Sequence, residues 1–298
     1  MTESTAHETV EASQHVVGHA FRDIAVALTG VPGDSSAFEA AVDLARHFGS
    51  RLELLQMLLM PTPFVDAWSL VPDASFYQVY DDMRQLARKE SEAWRGKLAA
   101  QRVEGDVRVL EALYIEPSAL AAHAARTTDL VVLSLPFRAP IDTSVVHAYF
   151  SGLLAGAGRP VLVVPSTSTA TLPPRRAMVA WTDAPEAARA VNDALPLLRG
   201  CDAVDIVSVR RDPAVPPAGR RLDDLCRHLR RHGVDARSLV VDPGESTVAA
   251  TLLSHASRTR AQLLVSGGYG HSRLREWAAG GVTRELFLDA PIPILFSH

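Results

Sequence analysis

The residue spacing that most suggests chemistry lies between positions 267 and 283, in a stretch reading GGYGHSRLREWAAGGVT. Its glycines follow an apolar run, Leu263–Ser266, that predicts a buried strand. Glycine lets a backbone approach a ligand closely, and free N–H groups where a helix begins attract anions. The pattern therefore predicts a phosphate-type anion site, against the alternative of two ordinary turns flanking a helix. The predicted ligands are the backbone of Gly267, Gly270, Gly280, Gly281 and Val282 and the hydroxyl of Thr283.

The same stretch offers little for catalysis. The chain has no Gly-x4-Gly-Lys-Ser/Thr motif, so it lacks the lysine of a P-loop. His271 and Ser272 have no third group placed to orient a triad. Arg273 and Arg275 could reach a phosphate, although a solvated position is the more frequent one for such side chains. We therefore predict no catalytic residue and no metal site.

Composition restricts the classes of protein that fit. The chain has 298 residues, 47% hydrophobic residues and a formal net charge of -4, which argues against a nucleic-acid partner. No apolar run is long enough to cross a bilayer, and residues 1–20 resemble a polar tail rather than a signal peptide. Two cysteines give no disulfide framework. These features predict a cytoplasmic globular protein without a membrane or nucleic-acid partner.

The elements that must position the glycines occur twice along the chain. Short apolar runs without polar alternation predict strands buried on both faces, and they alternate with helical patterns, which predicts parallel sheets. A Ser/Thr/Pro-rich joint, Pro165–Pro174, separates two units at residues 21–166 and 172–298. The predicted strand pairs are Asp23–Thr29 with Ala177–Thr182, Leu52–Leu58 with Val204–Val209, Asp106–Leu113 with Asp235–Val241, Leu130–Leu133 with Leu263–Val265, and Val161–Val164 with Ile292–Phe296.

The duplicated units and the glycine spacing together resemble the universal stress protein family, in a tandem form with two copies in one chain. The resemblance implies an α/β fold of two doubly wound, five-stranded parallel sheets with strand order 3-2-1-4-5, like that of adenine nucleotide alpha hydrolases. It also implies a ligand, ATP or another adenine nucleotide with or without Mg²⁺. The family pattern has Ser or Thr where this chain has Gly281, and Asp where it has Thr182.

By the same resemblance, the nucleoside part of the ligand is held at the ends of the first two strands of the second copy. The implied residues are Thr182, Asp183 and Val209. Asp183 could contact the ligand or only cap the helix that begins at Pro185, and the hydroxyl of Thr283 could both cap its helix and touch a phosphate. The resemblance implies a stress-response or signalling protein that holds its nucleotide with little turnover. The alternatives are an adaptor with a decayed site, acting on an unknown protein partner, and a hydrolase or transferase.

The two copies differ where the glycines stand. Ser134, Phe137 and His147 occupy the positions of Gly267, Gly270 and Gly280, so we predict one nucleotide per chain, bound by the second copy. Side chains such as Phe137 and His147 are expected to fill the space of phosphate in the first copy, unless its rewritten loop binds another ligand. The last strands of the two copies are predicted to pair antiparallel as an intrachain pseudo-dimer. A homodimer of the chain and the role of the aromatic segment 61–80 stay open.

Overall fold

The computed structural model describes residues 20–62, 74–135, 140–210, 219–268 and 281–298. The predicted polar tail, except for its last residue, lies outside these ranges, as does much of the aromatic segment. Gly270, Gly280 and Phe137 lie outside them too.

Ten strands and eight helices alternate along the described chain. In the first half they are β1 (Asp23–Leu28), α1 (Asp34–Phe48), β2 (Arg51–Leu59), α2 (Ala74–Ala100), β3 (Gly105–Ala112), α3 (Pro117–Ala124), β4 (Leu130–Leu135), α4 (Pro140–Gly156) and β5 (Val161–Pro165). In the second half they are β6 (Arg176–Ala180), α5 (Pro185–Leu198), β7 (Ala203–Val209), α6 (Gly219–Arg231), β8 (Ala236–Val241), α7 (Val248–Thr259), β9 (Leu263–Gly267), α8 (Val282–Asp289) and β10 (Ile294–Ser297).

One sheet contains all ten strands, in the order β3-β2-β1-β4-β5-β10-β9-β6-β7-β8. Each half has the strand order 3-2-1-4-5, because β1 pairs with β2 and β4 while β6 pairs with β7 and β9. All pairings within a half are parallel. The predicted doubly wound α/β class and its order are confirmed. We call the β1–β5 half the first copy and the β6–β10 half the second copy.

The two copies join through their last strands. β5 and β10 pair antiparallel, with Val163 opposite Ile294 and Val161 opposite Phe296. Both strands are buried along their whole length, so neither presents the free apolar edge that it would have in an isolated copy. The prediction that the fifth strands pair across the middle of the chain is confirmed.

Hydrophobic side chains cover both faces of the sheet, and each layer runs through both copies. One layer lies beneath α1, α5 and α6, and the other beneath α3, α4, α7 and α8. In the second layer α4 meets α8: the ring of Phe150 lies 4.6 Å from that of Phe287 and 5.1 Å from that of Phe296, centroid to centroid. These fully buried aromatic rings connect the copies beyond the backbone pairing.

The described part of the chain lacks two kinds of feature. None of its helices combines the length and apolar character needed to cross a membrane. Its His, Cys, Asp and Glu side chains form no group of three or more that could hold a metal ion.

Candidate functional site

A cleft of 330 Å³ opens in the second copy at the carboxyl ends of β6, β7 and β9. β6 is the first strand of this copy and lies between β7 and β9, so successive connections leave it in opposite directions. In open α/β sheets, such a switch point is where ligands bind. The lining residues are Ala180, Trp181, Thr182, Asp183, Ala184, Glu186, Ala187, Val207, Val209, Val248, Leu252, Ser266, Gly267, Val282 and Thr283.

Most of the residues predicted from the sequence meet in this cleft. Thr182 and Asp183 follow β6, Val209 ends β7, and Gly267 ends β9. Val282 and Thr283 reach the cleft from the first turn of α8. Gly281 is the N-terminal cap of α8 and stands next to these two residues, outside the lining.

Gly267 is a glycine for a reason that the motif does not reveal. A β-carbon at this position would lie 2.8 Å from the backbone nitrogen of Ala187 and 2.9 Å from the carbonyl carbon of Glu186. Both contacts involve backbone atoms of the first turn of α5, which cannot move aside as a flexible side chain can. The glycine therefore lets β9 pack closely against the start of α5, and this packing sets one wall of the cleft.

Asp183 does not cap α5, which corrects one of the two predicted roles. The cap of α5 is Ala184, and it makes no side-chain capping bond. The carboxylate of Asp183 instead forms an ion pair with Arg221 of α6, and its side chain is about half exposed. Asp183 thus lies at the mouth of the cleft with its charge already paired.

The start of α8 also differs from the predicted one. Its cap is Gly281, without a side-chain capping bond, so the prediction that the Thr283 hydroxyl caps this helix is wrong. Thr283 is the second residue of the helix and lines the cleft. Gly281 has an extended backbone with a φ of -153°, and a β-carbon there would meet nothing within 4 Å. Neither strain nor crowding requires glycine at position 281.

Sequence reasoning missed two large side chains of the cleft. Trp181 precedes Thr182 and is 9% exposed, and Glu186 in the first turn of α5 is 7% exposed. An acidic residue in a first helical turn is expected to interact with the helix dipole at the surface, so its residue type did not indicate burial. Leu252 and Val248 of α7 complete an apolar floor opposite Val207 and Val209.

Beneath this floor lies a buried charge cluster that the sequence analysis did not identify. Asp205 precedes Val207 by two residues on β7, and its Oδ2 lies 3.2 Å from Nε2 of His255 on α7. Burial alone would raise the pKa of Asp205, but hydrogen bonds from Arg237 and His255 outweigh it and lower the pKa. The enclosed Asp205 and His255 brace β7 against α7 and do not line the cleft.

In the corresponding crevice of the first copy, polar groups of the chain bond to one another. Asp34, in the first turn of α1, accepts hydrogen bonds of 2.9 Å from the Thr29 hydroxyl and from the Gly30 N–H. Burial raises the pKa of Asp34, and these hydrogen bonds only partly offset that rise. Gly33 has a left-handed φ of 129°, and a β-carbon there would lie 2.9 Å from the hydroxyl oxygen of Ser134. We call Thr29, Gly33, Asp34 and Ser134 the first crevice.

Tyr149 and His147 of α4 have different surroundings. Burial raises the pKa of Tyr149 to about 12, and the charge of Asp34 adds to the rise. His147 instead faces α8, with its ring edge-on to Phe287 at 5.9 Å and its Nε2 2.9 Å from the Ser151 hydroxyl. The prediction that His147 fills the phosphate space of the first copy stays a prediction, and its described contacts are with Phe287 of α8 and Ser151 of its own helix.

Comparison with solved structures identifies this architecture. A universal stress protein from Archaeoglobus fulgidus is similar over 92% of this chain and 95% of its own, with a TM-score of 0.70 and 13% sequence identity. A putative universal stress protein from Pseudomonas aeruginosa is similar over 93% of each chain, with a TM-score of 0.55 and 16% identity. No protein-family model matches the sequence, and comparison with curated proteins found no match. The chain has the fold of universal stress proteins along nearly its whole length, which confirms the predicted resemblance for the fold.

Proposed function

We propose that this chain is a nucleotide-holding protein of stress response or signalling, with one adenine nucleotide, ATP or a relative, bound in the cleft of the second copy. The observation that carries the proposal is the meeting of Thr182, Val209, Gly267 and Thr283 around one cleft. The cleft lies at the switch point of its sheet, and its size is within the range of small-molecule sites.

The composition of the lining supports a division of the ligand into two parts. Val207, Val209, Val248 and Leu252 offer an apolar surface suited to a planar base. On the opposite side, the first turn of α8 directs backbone N–H groups and the positive end of its dipole at the cleft, which suits phosphate. We place the glycines 267, 270, 280 and 281 around the phosphates, where Mg²⁺ would accompany ATP.

Slow turnover is part of the proposal. Among the described lining residues there is no Lys, Arg or His, and the acidic residues are Asp183 and Glu186. Phosphoryl transfer needs charge neutralisation and a positioned nucleophile, whereas tight ground-state binding alone does not accelerate a reaction. We expect hydrolysis of Mg²⁺-ATP slower than about one turnover per minute, measured by phosphate release.

Tryptophan fluorescence tests the binding site directly, because Trp181 lines the cleft. Titration with ATP should change the emission of a Trp277→Phe chain, which lacks the tryptophan of the glycine stretch, and adding Trp181→Phe should remove most of that change. Trp94→Phe is the matched control, since Trp94 packs on Phe38 in the first copy. A response that persists in Trp181→Phe and disappears in Trp94→Phe would move the site out of the second copy.

Calorimetry tests the predicted stoichiometry and the glycine loop together. The wild-type chain should bind one nucleotide, and Gly270→Val should abolish binding while the melting temperature stays unchanged. Two nucleotides per chain would overturn the assignment to the second copy alone. If Gly270→Val binds the nucleotide with undiminished affinity, the glycine spacing no longer supports the proposed site.

A second candidate function is supported by one surface feature of the first copy. Tyr114, two residues after the end of β3, is 75% exposed and has a left-handed φ of 61°, and its neighbours Leu113 and Ile115 are exposed too. An unusual backbone that displays an exposed aromatic side chain is more typical of a binding surface than of packing. An adaptor acting through protein contacts would use this surface, and loss of nucleotide binding in every assay would favour it.

A further inference from the structure

Two histidines at the end of α6 lie side by side. His228 belongs to the last turn of the helix, and His232 follows its final residue. Side chains four residues apart are neighbours on one helix face, and here the two ring centroids are 4.6 Å apart. Both residues are partly exposed. No hydrogen bond to either imidazole ring occurs within the part of the chain that the structure describes, so the ring nitrogens are accessible to a ligand.

The backbone that carries this pair is fixed from two sides. Leu229, between the histidines, is fully buried and anchors this turn of α6 in the core. The N–H of His232 donates to the Leu229 carbonyl at 2.9 Å, and the His232 carbonyl accepts a 3.1 Å hydrogen bond from Nε of Arg199 on α5. Gly233 follows with a left-handed φ of 79°. The backbone positions of the two histidines are therefore set without a ligand, which lowers the cost of bringing their rings to one ion.

The first copy has the same backbone arrangement with different side chains. Gln101 follows α2 as His232 follows α6, and its carbonyl accepts a 3.2 Å hydrogen bond from Nη2 of Arg46. The Gln101 side-chain oxygen accepts another from the same nitrogen at 2.6 Å. Four residues earlier, the ammonium group of Lys97 lies 4.0 Å from the ring centroid of Trp94. In the first copy both side chains therefore interact within the protein, whereas the second copy has two potential metal ligands at these positions.

A pair of neighbouring imidazoles can chelate a transition-metal ion. Neutral imidazole is a ligand that suits Zn²⁺, Cu²⁺ and Ni²⁺. An ion bonded at about 2.1 Å to one nitrogen of each ring would place the ring centroids about 5 Å apart, and the observed separation is 4.6 Å. The described residues add no third His, Cys, Asp or Glu to the pair. Water would therefore fill the other coordination positions, and the bound ion would exchange readily.

We propose that His228 and His232 form an exchangeable site for a divalent transition-metal ion. The proposal departs from the sequence-based prediction of no metal site, and it does not depend on nucleotide binding. Affinity should follow the general order in which Cu²⁺ exceeds Ni²⁺ and Zn²⁺. Charged residues within one turn of the pair include Arg227, which pairs with Asp224, and Arg231. Arg231 is exposed, so water weakens its repulsion of the ion.

Isothermal titration calorimetry of the full chain with Ni²⁺ alone tests the proposal. His228→Asn and His232→Asn should each lower the affinity about 100-fold, because a single imidazole loses the gain from chelation. The double variant should bind no more weakly than either single variant. Arg230→His combined with His232→Asn keeps the number of histidines but places the second ring on another helix face, so it should bind as weakly. His123→Asn, which removes an exposed histidine of α3, is the matched control and should keep the wild-type affinity.

A second measurement links the ion to the folded helix. Ni²⁺ should raise the melting temperature of the wild-type chain and not that of His228→Asn, because the unfolded chain does not hold the two rings together. Equal affinity in the wild-type chain and both single variants would overturn the proposal. Losses that add up in the double variant would overturn it too, since they indicate two independent histidines. His228→Gln carries the same expectation if His228→Asn does not fold.

Discussion

The first crevice and the cleft of the second copy contain the same close contact between a strand and a helix, with the glycine on different sides of it. In both copies the end of the fourth strand approaches the start of the first helix. The first copy has its glycine on the helix side, at Gly33, and a serine on the strand at Ser134. The second copy has its glycine on the strand, at Gly267, and a glutamate on the helix at Glu186. The difference teaches that a close contact between strand and helix can be accommodated by a glycine on either side of it.

We call the contact of Phe150 with Phe287 and Phe296 the aromatic seam between the copies. A substitution in this seam should have the largest effect on stability. Phe150→Ala removes a fully buried ring that contacts Phe287 and Phe296 of the second copy. We expect a loss of about 3–5 kcal/mol in the free energy of unfolding, measured by urea denaturation. Ile141→Ala, on the same helix but 80% exposed, should change it by less than about 0.5 kcal/mol. Similar losses in both variants would mean that the copies are not coupled through this seam.

Substitution of Gly267 tests the packing exchange itself. Gly267→Val places a branched side chain against the backbone of Glu186 and Ala187, so we expect a loss of about 1–3 kcal/mol in unfolding free energy and of nucleotide binding. Gly281→Ser is the matched control for the unfolding free energy alone, because position 281 has free space and serine is a good helix cap. Wild-type stability in Gly267→Val would show that strand and helix can separate without cost.

The pH dependence of stability tests the position of His147. Burial, with a contribution from Arg284, lowers the pKa of His147 from 6.5 to about 4. Between these values the unfolded chain binds more protons than the folded one, so stability falls as the pH drops from 6.5 toward 4. We expect His147→Asn to remove a part of this loss on the order of 1 kcal/mol, since the side chain is partly exposed. Denaturant titrations of the wild-type chain and of His147→Asn at pH 7.5 and 5 measure the unfolding free energy. An equal loss of unfolding free energy in both proteins would contradict the buried position of His147.

The smallest expected effect concerns the exposed surface of the first copy. Tyr114→Asn replaces a tyrosine in a left-handed conformation with a residue that tolerates it, so stability should rise by about 0.5 kcal/mol. Tyr77→Asn, an exposed position on the regular helix α2, should show no gain. A stability loss in Tyr114→Asn would mean that its ring packs on the protein, which would weaken the second candidate function.

The sequence predicted the sheet well because its buried strands are continuous apolar runs that repeat along the chain. The glycine spacing also predicted that Gly267 and Thr283 would share a site, and the resemblance to universal stress proteins implied that Thr182 would join them. The burial of Glu186 was not predicted, because the exposure of an acidic residue in a first helical turn depends on which other segments pack over it. The contact of His147 with Phe287 of α8 was not predicted, because successive helical residues point about 100° apart and the sequence leaves the rotation of α4 open.

The glycine on the helix side of the first crevice was missed for a related reason. Alignment of the two copies from the end of the fourth strand onward pairs Ser134 with Gly267 in sequence. Gly33 lies a hundred residues earlier in the chain and meets Ser134 only in the folded structure. Which side of the contact between strand and helix has the smaller residue depends on both segments, so the sequence of the strand alone does not reveal it.

The antiparallel pairing of β5 with β10 has a consequence for how the protein responds to dilution. Two separate chains that meet edge to edge come apart as their concentration falls, because association is bimolecular. Here the partner strands belong to one polypeptide, whose two copies are joined by residues 166–175, so pairing is governed by an effective concentration that this short connection between the copies sets. The support that the first copy gives to α8 and the cleft is therefore the same at any abundance of the protein.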